Sequence, residues 1–226
     1  KRSKKIKKSK KFYKNLFLPG SKLNFANNLL AKNDKKKAAT FISENGFREE
    51  RSWQKLNQNT NKLVQFLKDK KINQKDRVAA YMPNTIETVE AFISTAAIGA
   101  IWSSCSPDFG ISASLDRFSQ IQPKILMAVD GYYYGSKTID CIDKIVALHE
   151  QLAVTQTIVI PLLNKQNEHT LANHKSIITW QVIMHKKTAS ELVFEQLPFN
   201  HPLFILYSSG TTGKPKCIVH SAGGTL

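Results

Sequence analysis

Short apolar runs alternate along this chain with longer amphipathic stretches, and that alternation limits the folds open to it. Arg77–Met82, Gly99–Ser104, Lys124–Val129, Thr157–Ile160 and Leu203–Tyr207 read as strands. The run Lys124-Ile-Leu-Met-Ala-Val129 is nearly continuous in apolar residues, the pattern of a parallel strand buried on both faces. Between the runs lie helical patterns. Ser52 can cap a helix reaching about Lys70, with Leu56, Leu63, Val64 and Leu67 on one face. Asn84-Thr-Ile-Glu87 has the form of a capping box for a helix to about Ala97. Asp108-Phe-Gly110 is a turn before a helix around Ser112–Ile121, which Pro123 bars from continuing. Thr138–Leu152 is amphipathic, and Pro161 stops the strand at Thr157–Ile160. Strand and helix alternating at this spacing predict an α/β fold with a mostly parallel sheet and flanking helices.

The chain has 226 residues, enough for one good core. Net charge is +16, but nine of the basic residues and none of the acids fall in residues 1–14, KRSKKIKKSKKFYK. The expectation for 1–14 is a solvated basic tail. The longest apolar stretch, Ala91–Trp102, is too short and too hydroxyl-rich for a membrane span, and no secretory signal is visible. Cys105, Cys141 and Cys217 form no C-x-x-C pair and read as reduced thiols of a cytosolic protein. The six histidines have no metal-site spacing, so no metal ligand is expected, His169 and His174 in their polar segment included. Before the first helix, Pro19-Gly20 marks a turn. Leu23-Asn24-Phe25 with Leu29-Leu30 looks like an anchoring segment or short helix, and Asn33–Lys37 like a surface loop.

The last strand leads into Ser208-Ser-Gly-Thr-Thr-Gly-Lys-Pro-Lys216. In parallel sheets ligands bind beyond the carboxyl ends of strands, and this loop hangs from such an end. It fails the G-x-x-x-x-G-K-[ST] pattern, because Gly210 and Gly213 are three apart and Pro215 follows Lys214. The residue before a proline is pushed toward extended backbone, so a helix dipole is not the grip. The hydroxyls of Ser208, Ser209, Thr211 and Thr212 remain as donors. Gly210 and Gly213 let backbone amides turn inward, and Lys214 and Lys216 add charge. In extended backbone around Pro215 the two lysines share one side. Such a loop suits the tail of a triphosphate.

YSSGTTGKPK, from Tyr207 to Lys216, resembles the phosphate-loop motif of the adenylate-forming ligases, the superfamily of acyl-CoA synthetases, adenylation domains and luciferases. Within it, LNFANNLL, MPNTIETVEAFISTAAIGAIWSSCSPDFG, LDRFSQIQPKIL and FEQLPFNHPLFILYSSGTTGKPKCIVHSAGGTL are similar to the acetoacetyl-CoA synthetase family. The likeness runs from about Leu16 to Leu226 and is weak over 132–198. Asn27 stands where that family usually has Glu, and residues 1–14 match no segment of it.

The resemblance implies that the chain is part of the large N-terminal domain of such a ligase, a fragment without the C-terminal domain. Residues 15–36 would end an N-terminal segment, and 37–226 would begin the AMP-dependent synthetase domain. It implies ATP-dependent activation of acetoacetate to acetoacetyl-AMP, then thioester formation with CoA, with Mg²⁺ sharing the triphosphate charge. Ser208, Ser209, Gly210, Thr211, Thr212, Gly213, Lys214 and Lys216 would hold the ATP phosphates, and Lys137 in GYYYGSK would meet the CoA nucleotide phosphate. The catalytic lysine is expected in the missing domain, so no catalytic residue is assigned here. Two other readings stay open: a truncated, non-catalytic remnant, and a ligase for another short-chain acid. Nucleic acid ranks last as a partner, since nothing beyond the basic tail points to it. Trp102, Phe109 and Tyr132–Tyr134 are expected to serve packing, and Asp108 a turn or cap.

Overall fold

The computed structural model describes residues 6–7, 10–11, 17–163, 174–188, 191–209 and 213–226. Most of the basic tail, His169 with its polar segment, and Gly210, Thr211 and Thr212 lie outside the described residues. The chain runs β1 (Lys22–Leu23), α1 (Phe25–Leu29), β2 (Lys37–Ile42), β3 (Arg48–Ser52), α2 (Trp53–Asp69), β4 (Arg77–Tyr81) and α3 (Ile86–Ala97). It continues with β5 (Ile101–Cys105), α4 (Ile111–Phe118), β6 (Ile125–Val129), β7 (Gly131–Tyr134), β8 (Lys137–Asp140), α5 (Ile142–Leu152) and β9 (Gln156–Ile160). It closes with β10 (Ile177–Thr179), α6 (Trp180–Met184), β11 (Leu197–Pro198), β12 (Pro202–Ser208), β13 (Lys216–Ser221) and α7 (Ala222–Thr225).

Seven strands form the main sheet in the order β10-β9-β6-β4-β5-β12-β13. All neighbours are parallel except β12 and β13. Every residue of β6 is buried, as its unbroken apolar run requires. Side-chain alternation divides the strands between two cores. Val78, Ala80 and Met82 join Ile125, Met127 and residues of α1, α2, α3 and α6 on one face. Ala79 and Tyr81 join Leu126, Ala128, Phe118 of α4 and Ile142, Ile145 and Leu148 of α5 on the other. Burying each of the larger apolar side chains contributes about 1.5–3 kcal/mol. Among the described residues no helix is long and apolar enough to cross a membrane.

The expected elements stand, with four corrections at their edges. Ser52 caps α2, its hydroxyl accepting from Lys55 N at 3.2 Å, and Leu56, Leu63, Val64 and Leu67 are buried. The cap of α3 is Thr85, not Asn84, and its hydroxyl accepts from Thr88 N. Glu87 does not complete a capping box with Asn84: its carboxylate pairs with Arg51 at 3.0 Å. The helix α4 ends at Phe118, short of the proline that was to stop it. The stretch Thr138–Leu152 is not all helix, because Lys137–Asp140 pairs antiparallel with β7 and only Ile142–Leu152 is helical. Lys37 lies in β2, beyond the expected surface loop, and pairs with Ser52 of β3. The anchoring segment is built on Asn24. Its amide nitrogen donates to the carbonyls of Ala96 and Ala97 at 3.0 Å and of Glu195 at 2.9 Å. It thereby satisfies carbonyls at the end of α3 that the helix itself leaves open.

A charged cluster ties the β2–β3 hairpin to the helical layer. Arg51 meets Glu49 at 2.8 Å, Glu87 at 3.0 Å and Glu90 at 3.0 Å. Asn59 of α2 donates to Glu90 at 2.8 Å. One guanidinium cannot neutralise three carboxylates. Glu90 is the most deeply buried, and burial pushes its carboxyl up to about 8 despite Arg51 and Asn59. A carboxyl raised on folding binds its proton more tightly in the native state. Its stabilisation is complete below the unfolded value, near 4.5, and is lost as pH rises toward 8. Urea midpoints are therefore expected to fall between pH 5 and 8, and Glu90→Gln to flatten that slope. Arg51→Ala strands the carboxylates and is expected to cost about 3 kcal/mol or more, measured by the same unfolding curves.

Candidate functional site

β4 sits at the centre of the sheet, between β5 and β6. The connection after β4 carries α3 on one face, and that after β5 carries α4 on the other. The chain winds from β4 to β5 through α3 and from β6 away to β9 through α5 on the opposite face, so the carboxyl ends of β4 and β6 flank the point where the winding reverses, the place where open α/β sheets form a crevice. The turn after β5 is pinned there. Tyr81 sits at the end of β4, and its hydroxyl lies 2.6 Å from the carbonyls of both Pro107 and Phe109. Burial holds that phenol well above its usual range. Ser106 donates to Asp108 at 2.6 Å, which with Tyr132 keeps the Asp108 carboxyl below the ordinary carboxylate range. Asp108 therefore serves the turn, as expected.

β12 extends this edge. It opens with Pro202, tolerable at the first position of a strand, and continues Leu-Phe-Ile-Leu-Tyr-Ser. It lies parallel to β5, with Phe204 opposite Trp102 and Ile205 opposite Ser103. The Ser103 hydroxyl donates to Ile205 O at 2.9 Å and lies 3.0 Å from the Tyr207 hydroxyl. The Tyr207 phenol is pushed up to about 12, chiefly by burial. Ser208 and Lys216 face each other as the last rung between β12 and β13. The loop is thus the tip of an antiparallel hairpin, held at the carboxyl end of a parallel strand. The strand before the loop is an expected element, and the strand after it, β13, is not. Cys217-Ile-Val was the available signal, a β-branched run directly beyond the loop.

Within the loop, Ser208, Ser209, Gly213, Lys214 and Lys216 are described, and Gly210, Thr211 and Thr212 are not. Gly213 has φ of +152°, a backbone that side-chain-bearing residues rarely adopt. Lys214 extends its ammonium to 3.9 Å from Asp116 of α4, with both groups largely exposed. That contact is weak and leaves the charge open to a ligand. Beside it, the Arg117 guanidinium lies 4.2 Å from the centre of the Phe109 ring and 5.9 Å from that of Tyr207. Nothing in the residue pattern marks these α4 residues as neighbours of the loop. Lys137 is placed elsewhere. It lies on β8 opposite Tyr134, not in the lead-in to a helix, in a hairpin that follows the carboxyl end of β6. That end faces the same way as the Ser208–Lys216 loop, but β4 and β5 separate β6 from β12. Trp102 and Tyr132 are buried as expected, whereas Tyr134 is 60% exposed and packs little.

A doubly wound, mostly parallel sheet carrying a Ser/Thr/Gly/Lys hairpin at its carboxyl edge defines the class, an α/β domain with flanking helices. The particular family follows from comparison with known proteins: residues 29–226 match the AMP-binding enzyme model, and the chain belongs to that family. It is 45% identical over 210 residues to acetoacetyl-coenzyme A synthetase of Rhizobium meliloti, covering 93% of this chain and 32% of that protein. It is 42% identical over 213 residues to acetoacetyl-CoA synthetase of Gallus gallus, with 92% and 32% covered. The solved acetoacetyl-CoA synthetase of Streptomyces lividans superposes with a TM-score of 0.85 at 37% identity, over 93% of this chain and 32% of that one. The chain therefore spans about a third of the length of the relatives it matches.

The three cysteines are free thiols, as expected. Cys105 and Cys141 are buried, and burial pushes them up to about 12 and about 11. Cys217 is exposed at the foot of the loop. Native protein is expected to take up one equivalent of a thiol reagent at neutral pH, since only a thiolate reacts. Cys217→Ser should abolish that uptake, and denaturant should expose the other two thiols, as mass spectrometry of labelled peptides would show.

Proposed function

We propose that this chain forms the phosphate-holding part of a ligase that joins acetoacetate to CoA with cleavage of ATP to AMP and pyrophosphate. One acetoacetate carboxylate oxygen attacks the α-phosphorus, the bond to the bridging oxygen of the β-phosphate breaks, and pyrophosphate leaves. The CoA thiol then attacks the acyl carbon of acetoacetyl-AMP, forms the thioester and expels AMP, and the thiol proton goes to solvent.

The observation that carries this reading is the Ser208–Lys216 hairpin at the carboxyl end of β12, in a chain so similar to acetoacetyl-CoA synthetases. Carboxylate and triphosphate repel one another, so the task is positioning and charge stabilisation. The hydroxyls of Ser208, Ser209, Thr211 and Thr212, the amides at Gly210 and Gly213, and Lys214 and Lys216 hold the β- and γ-phosphate oxygens. They steer pyrophosphate as it leaves. Mg²⁺ enters with the nucleotide and shares the triphosphate charge. Among the described residues no cluster of three acidic, His or Cys side chains offers it a separate cage. Lys137 contributes a cation toward the CoA nucleotide phosphate. Residues 37–226 form part of the synthetase domain, 15–36 the end of the segment before it, and 1–14 a basic tail. The setting is the cytosol.

The test is acetoacetate-dependent exchange of pyrophosphate into ATP, run on the full-length protein that carries this chain. Lys216→Ala is expected to slow exchange about 100-fold, the loss typical of removing one preorganised charge-stabilising group. Exchange driven by acetate and not by acetoacetate would overturn the choice of acid. Exchange indifferent to Lys216 would overturn the loop's role.

A further inference from the structure

We propose that Gln120 is a positioning residue for the phosphate loop, fixing the arm that carries Lys214 and Lys216. This inference rests on the reading of Ser208–Lys216 as the triphosphate grip and adds a residue from another element to it.

Gln120 lies just beyond the end of α4, and its carboxamide is spent in full. The amide nitrogen donates to Asp116 O at 2.7 Å, one turn back in its own helix, and to Pro215 O at 2.9 Å across the gap. The amide oxygen faces the Cys217 thiol at 3.7 Å. Both N–H groups and the carbonyl are thereby used, which orients the side chain in one way round. The bond to Asp116 O holds the donor in place, so reaching Pro215 costs little further side-chain entropy.

The partners on the hairpin are the informative part. Pro215 lies between Lys214 and Lys216, and its ring already fixes one backbone angle. Holding its carbonyl sets the plane of the following peptide, and with it where Lys216 leaves the backbone. Lys216 itself pairs with Ser208, and Cys217 with Tyr207, whose hydroxyl lies 3.0 Å from Ser103 in the sheet. Asp116, four residues earlier, faces Lys214 at 3.9 Å. Residues 214, 215 and 217 are thus all engaged by two side chains at the end of α4. β12 and its ladder hold the outgoing arm. Without Gln120, the returning arm above Lys216 keeps only the exposed Asp116 contact and the ring of Pro215 among these restraints.

The test is steady-state kinetics on the full-length protein. Gln120→Leu keeps the bulk and removes the three contacts, and Gln120→Met is the second variant should the first fold poorly. The KM for ATP is expected to rise about fivefold, the worth of one exposed neutral hydrogen bond. The KM values for the acid and for CoA, and the thermal midpoint, should not move. An unchanged ATP KM in a folded variant overturns the proposal. So does an equal rise for all three substrates, or a lowered midpoint that accounts for the loss, since either marks a merely structural residue. Lys216→Ala separates the two readings. If it impairs the ATP step while Gln120→Leu does not, only the role of Gln120 falls; if neither does, the phosphate-loop reading falls with it.

Discussion

The parallel pairing of β12 with β5 is the constraint on which the candidate site depends. It joins residues about a hundred positions apart and is sealed by the Ser103 hydroxyl on Ile205 O, a buried bond 2.9 Å long. A parallel neighbour must enter the sheet pointing the same way, so the end of β12 emerges beside the ends of β4 and β5. That single register decision puts a loop rich in donors beside the turn that Tyr81 and Asp108 hold in place. A shift by one residue would turn Phe204 from the core packed on Phe92 and Trp102 to the opposite face, which the apolar pattern forbids.

Much of this was legible in the residues because burial on two faces leaves an unmistakable mark. β6 could be nothing but an interior strand, and α2 announced itself by Ser52 and its apolar stripe. The hairpin of β2 and β3 left no such mark, since Arg48-Glu-Glu-Arg-Ser52 is almost wholly polar. What makes it a strand is Arg51 reaching Glu87 and Glu90 on α3, a contact that local patterning does not encode. The same contact took Glu87 from the capping box its spacing suggested. At Thr138–Leu152 a helical pattern lost its first residues because Tyr132–Tyr134 offered a ladder partner.

For the site the division is similar. The donor chemistry of Ser208–Lys216 is carried by residue types and spacing alone. Its support is not, because the contacts of Gln120 and Asp116 depend on where α4 ends relative to a strand nearly a hundred residues later. Lys137 shows the reverse case. Only the family resemblance suggested a phosphate contact for it, and its place on a separate hairpin leaves that role to be tested on its own.

Among the described residues β13 pairs with β12 alone, and Ile218 and Val219 stand about half exposed along it. Opening this hairpin at β13 breaks the β12–β13 ladder alone and leaves the parallel strands paired. An anion gripped at its tip, as proposed, would bind only the closed form. By mass action it adds about 2.7 kcal/mol at a hundredfold excess over its dissociation constant. On the proposed reading, nucleotide concentration would set how often β13 is in place, and amide exchange along Lys216–Ser221 would become a gauge of occupancy.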